Sequence, residues 1–340
     1  MDFFVLNVSC NPTIPDNLEA IDINTSKADL FKKLKGNGWL FAGEQILSVE
    51  SPGEGNMNVV LRIKTNKRSF VLKQSRPYVQ KYKDIKAPKD RIDVEYRFYR
   101  SVKDPLALAH FPRILAYDPS HYLMQIEDLG ECRDMTYWYE EQEIQQELLS
   151  KLIDILSAIH SQEKLNGYPA NRKLRELNHQ HIFVLPFLDH NGFALDEVQK
   201  GLNALAAPYK RDKKLQEVVT RIGKRYLSPG NVLLHGDYYP GSWMSKKNKV
   251  YVIDPEFSFM GFPEFDLGVM AAHTLLATGD RKYMKTILQE YQGACVAELV
   301  SKVAGIEIIR RLIGLAQLPL TRSLEEKDYL LQTAREMILV

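Results

Sequence analysis

The sequence predicts an α+β fold with two lobes, a small β-rich N-terminal lobe and a larger, mostly helical C-terminal lobe. Asn58–Thr65 (NVVLRIKT) and Arg68–Lys73 (RSFVLK) are rich in residues that favour strands and are joined by a short turn, which is typical of an antiparallel hairpin. After Gly130 the pattern becomes helical, and Ile144–His160 has its apolar residues on one stripe. With 340 residues, the chain is long enough for one large or two medium domains.

The N-terminal lobe is assigned to residues 24–130, after an arm of residues 1–23 that shows little periodicity. A short helix is predicted over Lys27–Leu34, and the breaker Gly36-Asn37-Gly38 ends it. After the hairpin, residues 91–103 have helical period. Further strands are predicted over Arg113–Tyr117 and Tyr122–Glu127.

The C-terminal lobe is assigned to residues 131–340. Two short strand-like runs, Val232–Leu234 and Val250–Ile253, interrupt its helical pattern, and helices are predicted over Arg281–Lys302 and Gly305–Leu318. Because ligands favour clefts between such lobes, we expect the functional residues to meet at the boundary, near residues 128–136.

Composition and charge exclude several classes of protein. The chain is 45% hydrophobic and 26% charged, and its net charge of +2 gives no strong attraction to nucleic acid or an anionic membrane. The three cysteines are far apart, which disfavours a disulfide framework and fits a cytoplasmic protein. No signal peptide or membrane span is expected. The expected partner is a small-molecule substrate, and a homodimer is left open.

A glycine-rich stretch, Pro52-Gly53-Glu54-Gly55-Asn56, precedes the hairpin. Glycines let backbone N–H groups approach a phosphate closely, so Gly53, Gly55 and Asn56 are candidate nucleotide contacts. The stretch lacks the third glycine of a dinucleotide fingerprint and the Gly-Lys-Ser/Thr of a P-loop. On these residues alone, a simple hairpin turn is the favoured interpretation.

Lys73 and Glu95 form a second candidate pair. Lys73 ends an apolar strand, and Glu95 shares a helical face with Ile92 and Tyr99. A carboxylate on such a face requires a cation, and a strand-to-helix Lys–Glu pair would hold the lysine for nucleotide phosphates. A solvated lysine and an exposed glutamate are the open alternative.

Two acidic loops each follow a short apolar run. Asp237, in LLHGDYYPGS, is placed to orient a hydroxyl nucleophile, and Ser242 can offer an oxygen to a metal or its water. Asp254 and Glu256, in VIDPEF, can face one side of an extended chain and suit Mg²⁺ as hard oxygen ligands. The alternative is that these are ordinary surface acids, but the occurrence of two such loops in succession makes that alternative less attractive.

Two further pairs are candidates for the substrate side. Arg310 and Arg311 lie in an otherwise apolar helix, so one of them is expected to face a polar cavity or an anion, although a surface pair with snorkelling stems is not excluded. His179 and His181, in LNHQHIF, could hold a metal, but a structural or substrate-contacting role fits a Mg²⁺ enzyme better.

These motifs, in this order, resemble those of the aminoglycoside phosphotransferase and choline kinase group, which has a protein-kinase-like fold. Within that group the sequence is more similar to the 5-methylthioribose kinases. The resemblance covers roughly residues 45 to 318 and rests on GxGNxN at 53–58, the VKQxxPYV-like stretch at 72–79, HGDxxxGS at 235–242, DPEFxFxGxxxFDxG at 254–268 and RRxxGLA at 310–316.

The resemblance implies an ATP- and Mg²⁺-dependent kinase of a small hydroxylated metabolite, with Asp266 as a structural acid beneath the catalytic loop. The implied catalytic residues are Asp237, Arg310 and Arg311. The implied nucleotide contacts are Gly53, Gly55, Asn56, Lys73, Glu95, Glu127 and Ser242. The implied metal ligands are Asp254 and Glu256, and the implied substrate contacts are Tyr239, His179 and His181.

One departure concerns the acceptor. The thioribose kinases usually read HGDLHTGS, whereas this chain has Tyr238, Tyr239 and Pro240 at the middle positions. From the resemblance as a whole, the leading hypothesis is a kinase of a 5-modified ribose such as 5-methylthioribose. The alternatives are a kinase of an amino sugar or amino alcohol, and a catalytically inactive nucleotide-binding scaffold.

Overall fold

The computed structural model describes residues 20–53, 57–162 and 165–340. Gly55, Asn56 and nearly all of the proposed N-terminal arm lie outside the described residues. Within the described part of the chain, no helix combines the length and the apolar character needed to cross a membrane.

The α-helices divide unequally along the chain. Three short helices accompany the N-terminal sheet: α1 Lys27–Gly36, α2 Arg91–Ser101 and α3 Pro105–Leu108. The remaining helices follow residue 136: α4 Tyr137–Glu141, α5 Gln146–His160, α6 Arg172–His179, α7 Leu195–Val198, α8 Leu202–Arg211, α9 Lys213–Leu227, α10 Glu264–Thr278, α11 Lys282–Glu290, α12 Ala297–Ile313 and α13 Leu324–Leu339.

Among the described residues, the strands form one main sheet and three small ones. They are β1 Ile46–Glu50, β2 Val59–Thr65, β3 Ser69–Gln74, β4 Tyr78–Val79, β5 Tyr82–Lys86, β6 Ile114–Asp118, β7 Leu123–Glu127, β8 Arg133–Asp134, β9 Val232–Leu234, β10 Trp243–Lys246, β11 Lys249–Val252 and β12 Phe259–Gly261. The main sheet has the order β1-β2-β3-β7-β6, and its pairs are antiparallel. The predicted hairpin is confirmed as β2 and β3, in which Val60 lies opposite Lys73.

Each lobe has its own core. In β2, residues 59, 61, 63 and 65 are buried and alternate with more exposed ones, and Leu61 and Ile63 pack with Leu30 and Leu34 of α1. In the larger lobe, α10 is buried almost along its whole length and packs against α12, which in turn packs against α13. The fold class predicted from the sequence, an N-terminal sheet followed by a helical lobe, is confirmed.

The two predicted C-terminal helices are wrong in their bounds. The helix predicted over Arg281–Lys302 is broken after Glu290, where Tyr291 becomes extended and its hydroxyl reaches Nδ1 of His160 at 2.9 Å. No helix starts at Gly305, as the prediction over Gly305–Leu318 required. Instead, α12 runs through Gly305, from Ala297 to Ile313. Gly305 lies in the helix because α13 approaches closely there: a Cβ atom would come within 2.5 Å of the Ala334 carbonyl oxygen.

Candidate active site

A cleft of about 300 Å³ lies where the main sheet meets the helical lobe. The sheet side contributes apolar side chains of β2, β3 and β7, and the helical lobe contributes both acidic loops. Of the residues singled out in the sequence, the cleft is lined by Gly53, Lys73, Glu127, Asp237, Tyr239, Ser242, Asp254 and Glu256. Residues nearly 200 positions apart are thus brought to one surface.

Lys73 lies at the centre of this surface. It is buried in β3, which is paired on both sides, and its Nζ is 2.6 Å from Oε2 of Glu95 and 2.7 Å from Oδ1 of Asp254. Burial alone lowers the pKa of Lys73, but the carboxylates of Asp254 and Glu95 outweigh it and raise the pKa above its ordinary value. Lys73 is therefore a fixed cation that faces the cleft.

Helix α2 also anchors Glu256, the second acidic residue of the turn Asp254-Pro255-Glu256, called the DPE turn below. Arg91 is fully buried, and its Nε lies 3.1 Å from Oε2 of Glu256 and donates to Oδ1 of Asn58 at 2.9 Å. The Asn58 amide donates to Glu256 Oε2 at 3.0 Å. One oxygen of Glu256 is therefore already held by the N-terminal lobe. Arg91 was not a candidate from the sequence because nothing local distinguishes it from a surface residue, whereas Asn58 closes the GxGNxN motif without any sign that it contacts Glu256.

The loop that carries Asp237 is held by its backbone. Asp266 of α10 accepts hydrogen bonds from the N–H groups of His235 at 2.7 Å and Gly236 at 3.0 Å. Gly236 has φ +86°, and a Cβ there would come within 2.3 Å of the Phe257 carbonyl oxygen, so this position requires glycine. His235 Nε2 lies 3.0 Å from the carbonyl oxygen of Ile253, which ties this loop to the DPE turn.

Asp237 lies in a mixed electrostatic environment. Its side chain is 23% exposed, and its Oδ1 is 3.6 Å from Nη2 of Arg311, which is an ion pair but longer than a hydrogen bond. Burial raises the pKa of Asp237 to about 6, while the positive charges of Arg311 and Arg310 oppose that rise. A carboxylate with this pKa accepts a proton more readily than a solvated aspartate does.

The two tyrosines after Asp237 have different positions. Tyr238 is fully buried, and its hydroxyl donates to the Leu152 carbonyl at 2.8 Å, so it is part of the core. Tyr239 lines the cleft, and its ring faces the Arg311 guanidinium at 4.7 Å. Burial raises the pKa of Tyr239 to about 12, which keeps its hydroxyl neutral. The sequence could not tell the two apart.

The donor set for a metal is small. Among the described residues, no group of three or more His, Cys, Asp or Glu side chains is arranged to hold a metal ion. Asp254 is in the left-handed conformation with φ 63°, and its side chain is 47% exposed. With Glu256 it offers two carboxylates to the cleft, and this set fits Mg²⁺, which uses one or two protein carboxylates and completes its shell with water and phosphate.

Arg310 and Arg311 are not among the residues that line the cleft, and both pair with one carboxylate. Glu307, one turn earlier on α12, accepts from Nη1 of Arg310 at 2.9 Å and from Nε of Arg311 at 2.6 Å. The pKa of Glu307 is raised by burial, but the two arginines lower it well below its usual range. Glu307 was not among the candidates from the sequence, although its position three and four residues before the arginine pair in an apolar helix could have indicated it.

Of the remaining candidates, His179 and His181 lie outside the cleft lining and Glu127 lies within it. His181 is close enough to Arg310 for that charge, together with burial, to lower its pKa. His179 packs on Phe183, and its Nε2 lies 2.7 Å from where a Cβ of Gly223 would be. Glu127 lines the cleft, but its carboxylate pairs with the exposed Arg113 at 3.1 Å.

Known sequences resemble this chain along most of its length. The phosphotransferase enzyme family matches residues 48–300. A methylthioribose kinase of Geobacillus sp. (strain WCH70) is 26% identical over 348 aligned positions, which cover 87% of this chain and 85% of that protein. A methylthioribose kinase of Bacillus velezensis is 24% identical, with 82% of this chain and 81% of that protein covered.

Solved structures share the fold at low identity. Choline kinase LicA from Streptococcus pneumoniae is 15% identical, with a TM-score of 0.52 over 92% of this chain and 98% of that one. A thermostable mutant of aminoglycoside phosphotransferase APH(4)-Ia, solved with ADP and hygromycin B, is 11% identical, with a TM-score of 0.52 over 93% of this chain and 98% of that one. The chain belongs to the phosphotransferase enzyme family and is a small-molecule phosphotransferase that acts on a hydroxyl group.

Proposed function

We propose that the chain is an ATP- and Mg²⁺-dependent kinase that phosphorylates a hydroxyl of a 5-modified ribose such as 5-methylthioribose. Asp237 carries this proposal, because its carboxylate lines the cleft, has a pKa of about 6 and makes no hydrogen bond to the neighbouring Arg311. The names of the relatives, all methylthioribose kinases, support the choice of acceptor.

The sheet side of the cleft fits a nucleotide. Val60, Val71 and Ile126 give it an apolar wall, which suits a purine ring, and Lys73 places a fixed cation deeper in the cleft. The ADP bound to the structural neighbour supports this assignment. Glu95 holds the lysine in place, so Lys73 can offset the charge of the nucleotide phosphates.

Asp254 and Glu256 would hold Mg²⁺. The bound ion would neutralise negative charge on the nucleotide phosphates. Asp237 would orient the acceptor hydroxyl and accept its proton, and Arg311 would offset charge at the acceptor side of the cleft. Ser242 lines the same cleft, and its carbonyl accepts the Ile253 N–H at 3.0 Å. Catalysis would then consist mainly of positioning and charge neutralisation.

The charges near Asp237 favour a neutral acceptor. Arg310 and Arg311 approach it from α12, and the only carboxylate that the described residues show between them, Glu307, is bound to both. A cationic amino sugar or amino alcohol bound beside Asp237 would be repelled by these two arginines, which costs electrostatic energy. The aminoglycoside and choline alternatives therefore have less support than a sugar hydroxyl.

An ADP-release screen with Mg-ATP tests the proposal. The acceptors are methylthioribose, other 5-deoxyriboses, common sugars, choline and aminoglycosides, and Asp237→Ala serves as the inactive control. Turnover is expected with a 5-modified ribose and not with choline. Turnover confined to cationic acceptors would replace the proposal with the amino-sugar alternative, and Mg-ATP binding without turnover on any acceptor would favour an inactive scaffold.

A further inference from the structure

A chain of buried polar groups runs from α4 through α10 to α12. Tyr139, His273 and Glu307 are all buried, although none of them lines the cleft. The Tyr139 hydroxyl is 2.6 Å from Nδ1 of His273, and Nε2 of His273 is 3.2 Å from Oε1 of Glu307. Three helices thus meet through hydrogen bonds at a point directly behind the arginine pair.

The chemistry of these groups assigns each proton. Glu307 is ionised because Arg310 and Arg311 both pair with it, so it accepts from His273 and the histidine proton lies on Nε2. Burial lowers the pKa of His273 to about 4, so the ring is neutral and Nδ1 is an acceptor. Tyr139 therefore donates to Nδ1. Every donor in this chain has one acceptor, which fixes the position of Glu307.

Glu307 in turn fixes Arg311. The Nε of Arg311 is bound to Oε1 of Glu307 at 2.6 Å, and the face of its guanidinium lies on the Tyr239 ring at 4.7 Å. Its Nη2 lies 3.6 Å from Oδ1 of Asp237, which is longer than a hydrogen bond. A free arginine beside an aspartate would form two parallel hydrogen bonds with the carboxylate. Here the bond to Glu307 turns the guanidinium so that this pair does not close.

We propose that Tyr139, His273 and Glu307 are positioning residues that hold Arg311 beside Asp237 and prevent a bidentate pair between them. The inference rests on the proposed role of Asp237 as the group that accepts the hydroxyl proton. With the pair open, Arg311 gives positive charge to the site while the Asp237 carboxylate stays available to a hydroxyl. With the pair closed, both Asp237 oxygens would be occupied.

Glu307→Gln tests this role, and Glu264→Gln is the matched control. Glu264 is also a buried glutamate between α10 and α12, where it accepts from the Val296 N–H at 2.9 Å, but it does not contact the arginine pair. The charged or titratable groups that act on Asp237 are Arg310, Arg311 and Glu307 on α12, Glu256 in the DPE turn, Tyr239 in its own loop, Tyr139 on α4 and Tyr226 on α9.

In Glu307→Gln, Arg311 turns toward Asp237, so kcat with methylthioribose is expected to fall at least tenfold. The acid limb of the kcat/KM profile is expected to move to lower pH. Glu264→Gln should change neither quantity. An unchanged acid limb in Glu307→Gln, with only a lower melting temperature, would show that Glu307 is merely structural and would overturn the proposal.

A readout without turnover separates this inference from the proposed function. Carboxyl carbon NMR, with the Asp237 signal assigned by its loss in Asp237→Asn, should show a lower Asp237 pKa in Glu307→Gln than in the wild type. Because loss of the Glu307 charge by itself lowers the pKa of Asp237, Tyr139→Phe, which removes no charge, carries the test of positioning. Tyr209→Phe is its control, because the Tyr209 hydroxyl also bonds one side chain, Asp328, at 3.3 Å. Tyr139→Phe should lower kcat and the Asp237 pKa by smaller amounts in the same direction. No change in either quantity would also contradict the inference.

Discussion

Asp237 shows how function and stability oppose each other at a single residue. Its carboxylate is largely buried, which raises its pKa to about 6, and the nearby arginines only partly offset this effect. The same burial that makes the carboxylate a better proton acceptor also makes its ionised form unfavourable in the folded protein. A change at this residue should therefore affect turnover and stability in opposite directions.

Removal of either key carboxylate is expected to abolish turnover without unfolding the chain. Asp237→Ala loses the group that accepts the hydroxyl proton, and Asp254→Ala loses a proposed metal ligand, so ADP release should fall by about 10²- to 10⁴-fold in the first variant and by at least as much in the second. Circular dichroism should show a native spectrum for both. Near-wild-type turnover in either variant would remove that residue from the catalytic assignment.

Turnover should depend on the protonation of Asp237. The proposed reaction needs the carboxylate, so kcat/KM is expected to decrease as pH falls through about 6. The profile is measured by ADP release between about pH 5 and 9 at saturating Mg-ATP. A profile that stays flat down to pH 5 would contradict the assignment of Asp237 as the proton acceptor.

Stability should change with pH in the opposite sense. The folded pKa of Asp237 is about 6 and the unfolded value is about 3.9, so this residue's contribution to stability is present below pH 4 and is lost as pH rises through 6. Asp237→Asn, which stays neutral, should therefore be more stable than the wild type by about 1–3 kcal/mol at pH 7.5. Urea unfolding at pH 7.5 and pH 4 measures the difference, which should nearly disappear at the lower pH.

At the scale of elements, α2 connects the sheet to the catalytic lobe. One face of this helix carries Glu95 to Lys73 and, one turn earlier, Arg91 to Glu256. Arg91 also donates to the carbonyl groups of Met57, Arg76 and Pro88 at 2.6–2.7 Å. The helix thus fixes the positions of Lys73 in the sheet and Glu256 in the DPE turn relative to each other.

Arg91→Met is expected to destabilise the protein strongly. The substitution leaves Glu256 and several carbonyl groups buried without their partner, and the loss of one member of a buried ion pair costs about 3–5 kcal/mol. Arg172→Met is the control, because Arg172 is 85% exposed and solvent screens its pair with Glu176. Urea unfolding compares the two, and equal effects would argue against α2 as the connecting element.

At the scale of the whole molecule, the cleft is lined by both lobes. Lys73 of the sheet lies 2.7 Å from Asp254 of the larger lobe, and Glu256 is held by residues of the smaller one. A ligand that contacts both sides binds the folded chain and not the unfolded one. Such a ligand should therefore stabilise the molecule as a unit.

A non-hydrolysable ATP analogue with Mg²⁺ should raise the melting temperature, because a ligand at a hundred times its Kd adds about 2.7 kcal/mol to the free energy of unfolding. Lys73→Met should lose most of this gain. Removal of Mg²⁺ with EDTA should reduce the gain in the wild type and have little further effect in Asp254→Ala. Equal stabilisation with and without Mg²⁺ would contradict the proposed metal ligands.

Three expectations concern the whole molecule and stay predictions: the division at residues 24–130 and 131–340, a homodimer and a cytoplasmic location. The structure describes one chain, in which β7 ends at Glu127 and α4 begins at Tyr137. Size-exclusion chromatography with light scattering measures the oligomeric state directly.

The sequence by itself determined the parts of the site that lie in continuous motifs. Asp237, Asp254 and Glu256 follow short apolar runs, and the pairing of Lys73 with Glu95 was inferred from a strand end and a helical face. The hairpin and the change to helix after Gly130 follow from hydrophobic period alone. These features are local, so the order of residues along the chain contains the information.

Only the tertiary structure decided which distant residues meet. Asn58 and Glu256 are 198 positions apart, and Tyr139 and His273 are 134 apart. Nothing in the neighbourhood of each residue indicates its partner, and Tyr238 and Tyr239 differ only in which side of the loop their rings take. Buried polar groups must find partners when the helices pack, so the packing of the whole molecule selects the pairs.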